Sequence, residues 1–114
     1  MASDNEACAR LARTAAGDKK GHNPIVLDVR GLSGVTDFYF IVSGTSTPHL
    51  KAIESEITRR LKSEGVARYR ESGTADSGWI VVDYLGVVVH IFTPERRDFY
   101  ALEKLWGDAP RLLP

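Results

Sequence analysis

The sequence predicts an α/β domain, a mixed sheet of about five strands with helices packed against it. Three observations predict it. Short β-branched and aromatic runs are separated by a segment of clear helical spacing. One of those runs, Asp37 to Val42, is apolar on both faces, as a strand lying between two layers must be. Two further runs flank Leu85-Gly86 in the outline of an antiparallel hairpin. Strand–helix–strand succession combined with a hairpin calls for a mixed sheet. At 114 residues the chain has room for one core and not two.

The elements follow in order. Residues 5 to about 16 form an Ala-rich helix that Asp4 or Asn5 can cap, with Ala7, Leu11 and Ala15 on one stripe. Leu11 is its only large apolar side chain, so this helix buries little by itself. Gly17 to Pro24 gathers charge and breakers into a loop. Ile25 to Val29 is a first strand, Gly31 to Gly34 a turn, and Asp37 to Val42 the second strand. Ser43-Gly44-Thr45-Ser46-Thr47-Pro48 then supplies capping hydroxyls and a proline suited to a first helical position. Leu50, Ile53, Ile57 and Leu61 recur at helical spacing, Glu56 and Arg60 sit four apart in the favourable order, and Gly65 supplies the stop. Val66 to Arg70 reads as a short charged edge strand, and Glu71 to Gly78 as a polar loop. Trp79 to Tyr84 and Val87 to Phe92 form the hairpin. Pro94 opens a last helix, with Phe99, Leu102 and Trp106 on one face, before Pro110 ends it.

Composition narrows the class. Apolar residues make up 43% and charged residues 26%, which excludes a collagen-like chain, a disulfide scaffold or general disorder. Fifteen basic side chains balance fifteen acidic ones, so no bulk field draws in DNA or RNA, and composition gives no hint of a local patch. One cysteine, Cys8, suits a reducing compartment. No apolar run approaches the roughly 18 residues of a membrane span, and the acidic N-terminus is the reverse of a secretory signal. The expectation is a small soluble protein of the cytoplasm, without DNA or membrane as partner.

Chemical motifs are sparse. The P-loop spacing and the Gly-x-Ser-x-Gly elbow are absent, and His22, His49, His90 and Cys8 make no zinc signature. Glu54 and Glu56 point roughly 200° apart around a helix and read as solvated face. Ser43 to Ser46, after a strand and before a helix, is either an anion site or an ordinary cap. Asp28, Asp37 and Asp83 lie in or beside apolar strands, where an unpaired carboxylate is costly. Each is either hydrogen-bonded locally or part of an acidic site with His90. Alternation puts Trp79, Val81 and Asp83 on one face of their strand and Ile80, Val82 and Tyr84 on the other. A face with both Trp79 and Asp83 suits recognition as well as core.

Several stretches together resemble the ribosomal silencing factor family, also called the Iojap family. They are Val26-Leu27-Asp28-Val29, Thr36 to Ser46, Lys51-Ala52-Ile53, Trp79 to Tyr84, Val88 to Phe92, and Arg97 to Trp106 with its closing Leu-Glu-Lys-Leu-Trp. The resemblance runs from about residue 25 to about residue 110, in order. It implies a nucleotidyltransferase-like fold without the catalytic carboxylates, and so a protein that is not an enzyme and has no catalytic residue, metal or cofactor. It further implies binding to the large ribosomal subunit through ribosomal protein L-fourteen. That would block association with the small subunit and repress translation under nutrient limitation, with a role in large-subunit maturation. Bacterial members often form homodimers. The competing reading is a nucleotide-binding or nucleotidyltransferase-like enzyme acting at Ser43 to Ser46. On the family pattern, residues 1–24 are an N-terminal helix and loop and residues 25–114 a single α/β domain. Trp79, Asp83, Tyr84, His90, Glu103 and Trp106 are the expected partner-binding residues. One departure is visible: after Asp83-Tyr84 the family has Gly and then an acidic or amide residue, whereas Leu85-Gly86 stands here, shifting the turn chemistry by one position.

Overall fold

The computed structural model describes residues 2–32, 34, 36–101, 104, 106–107 and 109–112. Its elements are α1 (Ala2–Asp18), β1 (His22–Asp28), β2 (Phe38–Ser43), α2 (Thr47–Ser63), β3 (Arg70–Thr74), β4 (Trp79–Asp83), β5 (Val87–Phe92) and α3 (Pro94–Tyr100), with a 3-10 turn at Ala75–Ser77. The five strands lie in the order β1-β2-β5-β4-β3. β2 and β5 pair parallel and every other neighbouring pair is antiparallel, so the sheet is mixed, as expected. β5 is central, and all six of its residues are buried. β2 lies inside the sheet, which its two apolar faces require.

α2 forms where its local signals place it. Ser46 is extended, its hydroxyl accepts the His49 N–H, and Pro48 stands in the first turn. Leu50, Ile53, Ile57 and Leu61 are all buried against the sheet. Gly65 takes φ +83°, the left-handed conformation that ends a helix with least strain. Glu56 corrects the solvated-face reading: it is buried under its own ion pairs, at 2.6 Å from Arg59 and 2.8 Å from Arg60. Those guanidiniums, Arg59 foremost, hold its carboxyl below the usual range.

α1 departs from its expected position. It begins at Ala2, so Asp4 and Asn5 lie within the helix rather than capping it, and the Asn5 amide donates to Asp37 at 3.0 Å. Ala7 is exposed, and the buried stripe is Ala9, Ala12, Ala15 and Ala16. Their small side chains let the helix backbone approach the sheet and α2, so alanine rather than Leu11 seats it. α1 thereby shares one hydrophobic core with the sheet. The expected loop before β1 is shorter than read, because β1 begins at His22. Pro24 fits inside it because β1 is an edge of the five-stranded sheet and its register slips between His22 and Ile25. Gly21 permits the tight entry, since a Cβ there would lie 2.7 Å from Val42.

β3 begins four residues later than expected, at Arg70–Thr74, overlapping the expected strand only at Arg70 and otherwise lying in the stretch read as loop. α3 is shorter than expected and ends at Tyr100, where Ala101 adopts φ +48° and donates to the Arg97 carbonyl. Leu102 lies outside the described residues, so the shared face expected for it is left aside. Further on, Asp28 donates to the Pro110 carbonyl at 2.8 Å and Leu112 to that of Val26 at 2.9 Å. The C-terminal segment thus covers the otherwise unpaired edge of β1.

The sheet has two unlike faces. One is closed by α1 and α2 over Phe38, Phe40, Val42, Ile80, Val82, Val89 and Ile91. The other carries a smaller cluster, Leu27, Val29, Ile41, Phe92 and Ala109, with Tyr39, Trp79 and Trp106 packed on its margin.

Candidate functional site

The incompletely covered face holds most of the expected partner-binding side chains. Strand alternation brings Trp79, Val81 and Asp83 of β4 beside Phe92, His90 and Val88 of β5, since those residues are paired in register. Parallel pairing of β2 adds Tyr39 opposite Val88. The result is a line of rings. Trp106 lies 5.7 Å from Tyr39, Tyr39 lies 5.6 Å from His90, and Trp79 stacks at 5.4 Å on Phe92.

His90 sits in the middle of that line. Trp79 Nε1 donates to His90 Nδ1 at 3.2 Å, so the neutral ring carries its proton on Nε2. Burial pushes its pKa down to about 4, which keeps the ring uncharged at neutral pH. Beside it lies a groove of about 280 Å³ lined by Tyr39, Arg70, Ser72, Val81, Asp83, Val88 and His90. Arg70 of β3 faces Asp83 across the β3–β4 pair, so acid and base sit together at the open end of the aromatic line.

Tyr84 is not part of this face. It points into the closed layer, 7% exposed, with its hydroxyl 3.2 Å from that of Thr58 on α2. Burial raises its pKa. Glu103 lies outside the described residues. Tyr39 and Arg70 were not among the residues expected from sequence. Tyr39 becomes assignable only once the parallel β2–β5 register is known, and Arg70 only once β3 is placed.

The hairpin tip shows what Leu85-Gly86 does. Leu85 adopts φ +75°, a left-handed conformation that glycine takes with less strain, and its N–H is held by Asp83 Oδ1 at 2.7 Å. A Cβ on Gly86 would lie 2.1 Å from the Asn5 amide oxygen, so the glycine serves close approach to α1. Asp83 is therefore both turn-builder and surface carboxylate.

The remaining candidates resolve locally. At Ser43 to Ser46 the bonds are local: Gly44 N–H donates to the Phe92 carbonyl and Thr45 N–H to His49 Nδ1, each at 2.9 Å, and Ser46 Oγ accepts from His49 N–H at 3.2 Å. His49 Nε2 donates to the Lys19 carbonyl at 2.7 Å, which fixes Nδ1 as acceptor. The turn is a cap. Asp28 pairs with Arg30 at 2.6 Å, Asp37 accepts from Asn5, and Asp83 from Leu85. β1 and β4 are three strand spacings apart, about 14 Å, so Asp28 and Asp83 do not share a site. Among the described residues no group of three His, Cys, Asp or Glu side chains could hold a metal, and no helix is long and apolar enough to cross a membrane.

Comparison with known proteins places the chain as a whole. A family model described as "Ribosomal silencing factor during starvation" matches residues 2–113. The chain is 37% identical over 106 residues to a ribosomal silencing factor of Halalkalibacterium halodurans, covering 93% of this chain and 91% of that protein. It is 38% identical over 74 residues to a mouse protein named for mitochondrial assembly of the ribosomal large subunit, covering 62% of this chain and 32% of that one. A crystal structure of a Chromobacterium violaceum protein, 33% identical, superposes with a TM-score of 0.85 over 90% of this chain and 85% of that chain.

Proposed function

The chain belongs to the ribosomal silencing factor family, a family named for translational regulation rather than enzymatic activity, and from that premise we propose that it docks on the large ribosomal subunit through the aromatic face of its sheet. The partner within the subunit is ribosomal protein L-fourteen. Occupying that surface blocks association with the small subunit and represses translation under nutrient limitation. The observation that carries this reading is the set of half-buried rings Tyr39, Trp79 and Trp106, seated on the buried His90 and Phe92 beside a groove that Asp83 and Arg70 line. Aromatic anchors supply most of the energy of a protein interface, and flanking charge supplies orientation and on-rate. The closed face offers neither, since its rings, Phe38 and Phe40, are fully buried with its aliphatic side chains under α1 and α2.

Sedimentation with purified large subunits tests it. The chain is expected to pellet with large subunits and not with small ones, and to lower the yield of joined ribosomes. Absence from the large-subunit pellet at micromolar protein would overturn the proposal. The same reading carries a homodimer in the cytoplasm, for which light scattering should give twice the chain mass.

A further inference from the structure

The two ring nitrogens of His90 are used differently. Nδ1 accepts from Trp79 Nε1 at 3.2 Å, which leaves the ring proton on Nε2. The residue is 8% exposed, yet among the described residues nothing accepts from that N–H. Nor is Nε2 sealed in, since among the described residues no fully buried side-chain nitrogen or oxygen lacks a partner. The N–H therefore reaches out of the protein, and the opening beside it is the groove of about 280 Å³. Asp83, in the same lining, is its complement. Its Oδ1 accepts from Leu85 N–H at 2.7 Å, and among the described residues nothing donates to Oδ2. Asp83 pairs with Val88 and His90 with Val81, so donor and acceptor are diagonal neighbours about 7–8 Å apart, with the two valines as apolar wall between them.

We propose that the groove receives a primary amide of the docking partner, an asparagine or glutamine side chain whose carbonyl accepts from His90 Nε2–H and whose N–H₂ donates to Asp83. The identity of the partner as a protein rests on the docking reading; the chemistry of the groove does not. An amide presents an acceptor and a donor side by side, and with a bond of about 2.9 Å at each end it bridges the diagonal. A lysine or arginine would answer Asp83 but has nothing to accept the His90 proton. A carboxylate would answer His90 but stand against Asp83, and its charge would leave water for a wall of Val81 and Val88. Arg70 does not reverse that choice, because it faces Asp83 in register and its guanidinium lies 5.0 Å or more from the groove's centre of interest, over the Tyr69 ring at 5.4 Å. The volume is just below the roughly 300–1,000 Å³ of small-molecule sites, which suits one inserted side chain. A site built around a nearly buried polar group rejects a partner lacking the complement far more strongly than an apolar contact does. The rings would then supply contact area, and His90 with Asp83 would choose what docks.

Imidazole proton–nitrogen NMR spectra of the whole protein at neutral pH test the groove without ribosomes. Propionamide should shift His90 Nε2 and the Val88 amide in a saturable way and leave His22 and His49 unmoved. Propionate and propylammonium, at equal concentration and ionic strength, should shift them several-fold less. No shift with propionamide, or an equal or larger one with either ion, overturns the proposal. Large-subunit sedimentation then asks whether docking uses the same bond. His90→Phe keeps a ring between Tyr39 and Phe92 but has no N–H, and should weaken binding roughly tenfold. His90→Gln keeps an acceptor for Trp79 and an N–H₂ for the groove, and should bind several-fold tighter than His90→Phe. Urea unfolding of both variants separates this from packing. Binding losses that follow the losses of stability, or His90→Phe binding as tightly as wild type, overturn the proposal. Wild type absent from the pellet overturns the docking reading instead, and the propionamide spectra then decide the groove by themselves.

Discussion

The two faces of the sheet are built from the same strands and do opposite work. Along β4, Ile80 and Val82 turn to the closed face and are 3% and 1% exposed, whereas Trp79, Val81 and Asp83 turn to the other and are half-buried. On the closed side, aliphatic residues with Phe38 and Phe40 meet α1 and α2, so little apolar surface is left to bind anything. On the other side, Leu27, Val29, Ile41, Phe92 and Ala109 form a smaller cluster, and the half-buried Tyr39, Trp79 and Trp106 pack against it, with Trp79 Nε1 donating to His90. The difference teaches that strand alternation separates a layer given wholly to the core from one that, on the docking proposal, serves recognition.

That contrast can be broken first on the closed side. Ile53→Ala removes a fully buried side chain between α2 and the sheet and should cost roughly 2–5 kcal/mol in urea unfolding, the largest effect expected. A loss below half a kcal/mol would mean that this layer is not the stabilising one. Next comes acid. His90 is neutral in the folded protein down to about pH 4, but in the unfolded chain it takes up its proton near the ordinary 6.5. Below the ordinary value the unfolded state binds the extra proton. Stability from this residue is therefore complete above about pH 6.5 and drains away as pH falls towards 4, by about 3 kcal/mol in all. His90→Gln, whose amide can still accept from Trp79, should flatten that part of the stability–pH curve. An unchanged curve would mean that His90 is not the titrating group.

Smaller effects sharpen the comparison at the tip joining β4 to β5. Leu85→Gly relieves a left-handed leucine and should stabilise by about 0.5–1 kcal/mol, read from thermal unfolding. Gly86→Ala should destabilise because its methyl meets Asn5, and Asn5→Ala should restore part of the loss. No recovery in the double variant would mean that the glycine serves something other than approach to α1.

How much of this was legible in the sequence depended on whether the signal was local. α2 and the hairpin were legible because capping hydroxyls, proline, glycine and period all agreed. The α1 stripe was not, because alanine carries too little hydrophobic contrast to reveal which of its positions are buried. β3, Arg-Glu-Ser-Gly-Thr, has no apolar alternation at all and becomes a strand only by pairing with β4. Within the candidate site, period-two alternation placed Trp79 with Asp83 and already set Tyr84 opposite them. The family motif grouped all three, because a motif records neighbours in sequence and not faces. Tyr39 depended on a parallel register between β2 and β5, which no stretch of residues announces.

The central claim, that the half-covered face is the docking face, is tested most directly by charge reversal on each side of the sheet. Asp83→Lys and Lys51→Glu, the latter exposed on α2, are checked for intact structure by circular dichroism and then sedimented with large ribosomal subunits. The account predicts that Lys51→Glu pellets as wild type does and that Asp83→Lys is lost from the pellet by at least roughly tenfold in affinity, as disruption of an interface charge does. Full binding by Asp83→Lys, or loss in Lys51→Glu alone, would place the docking surface on the helical side and contradict it.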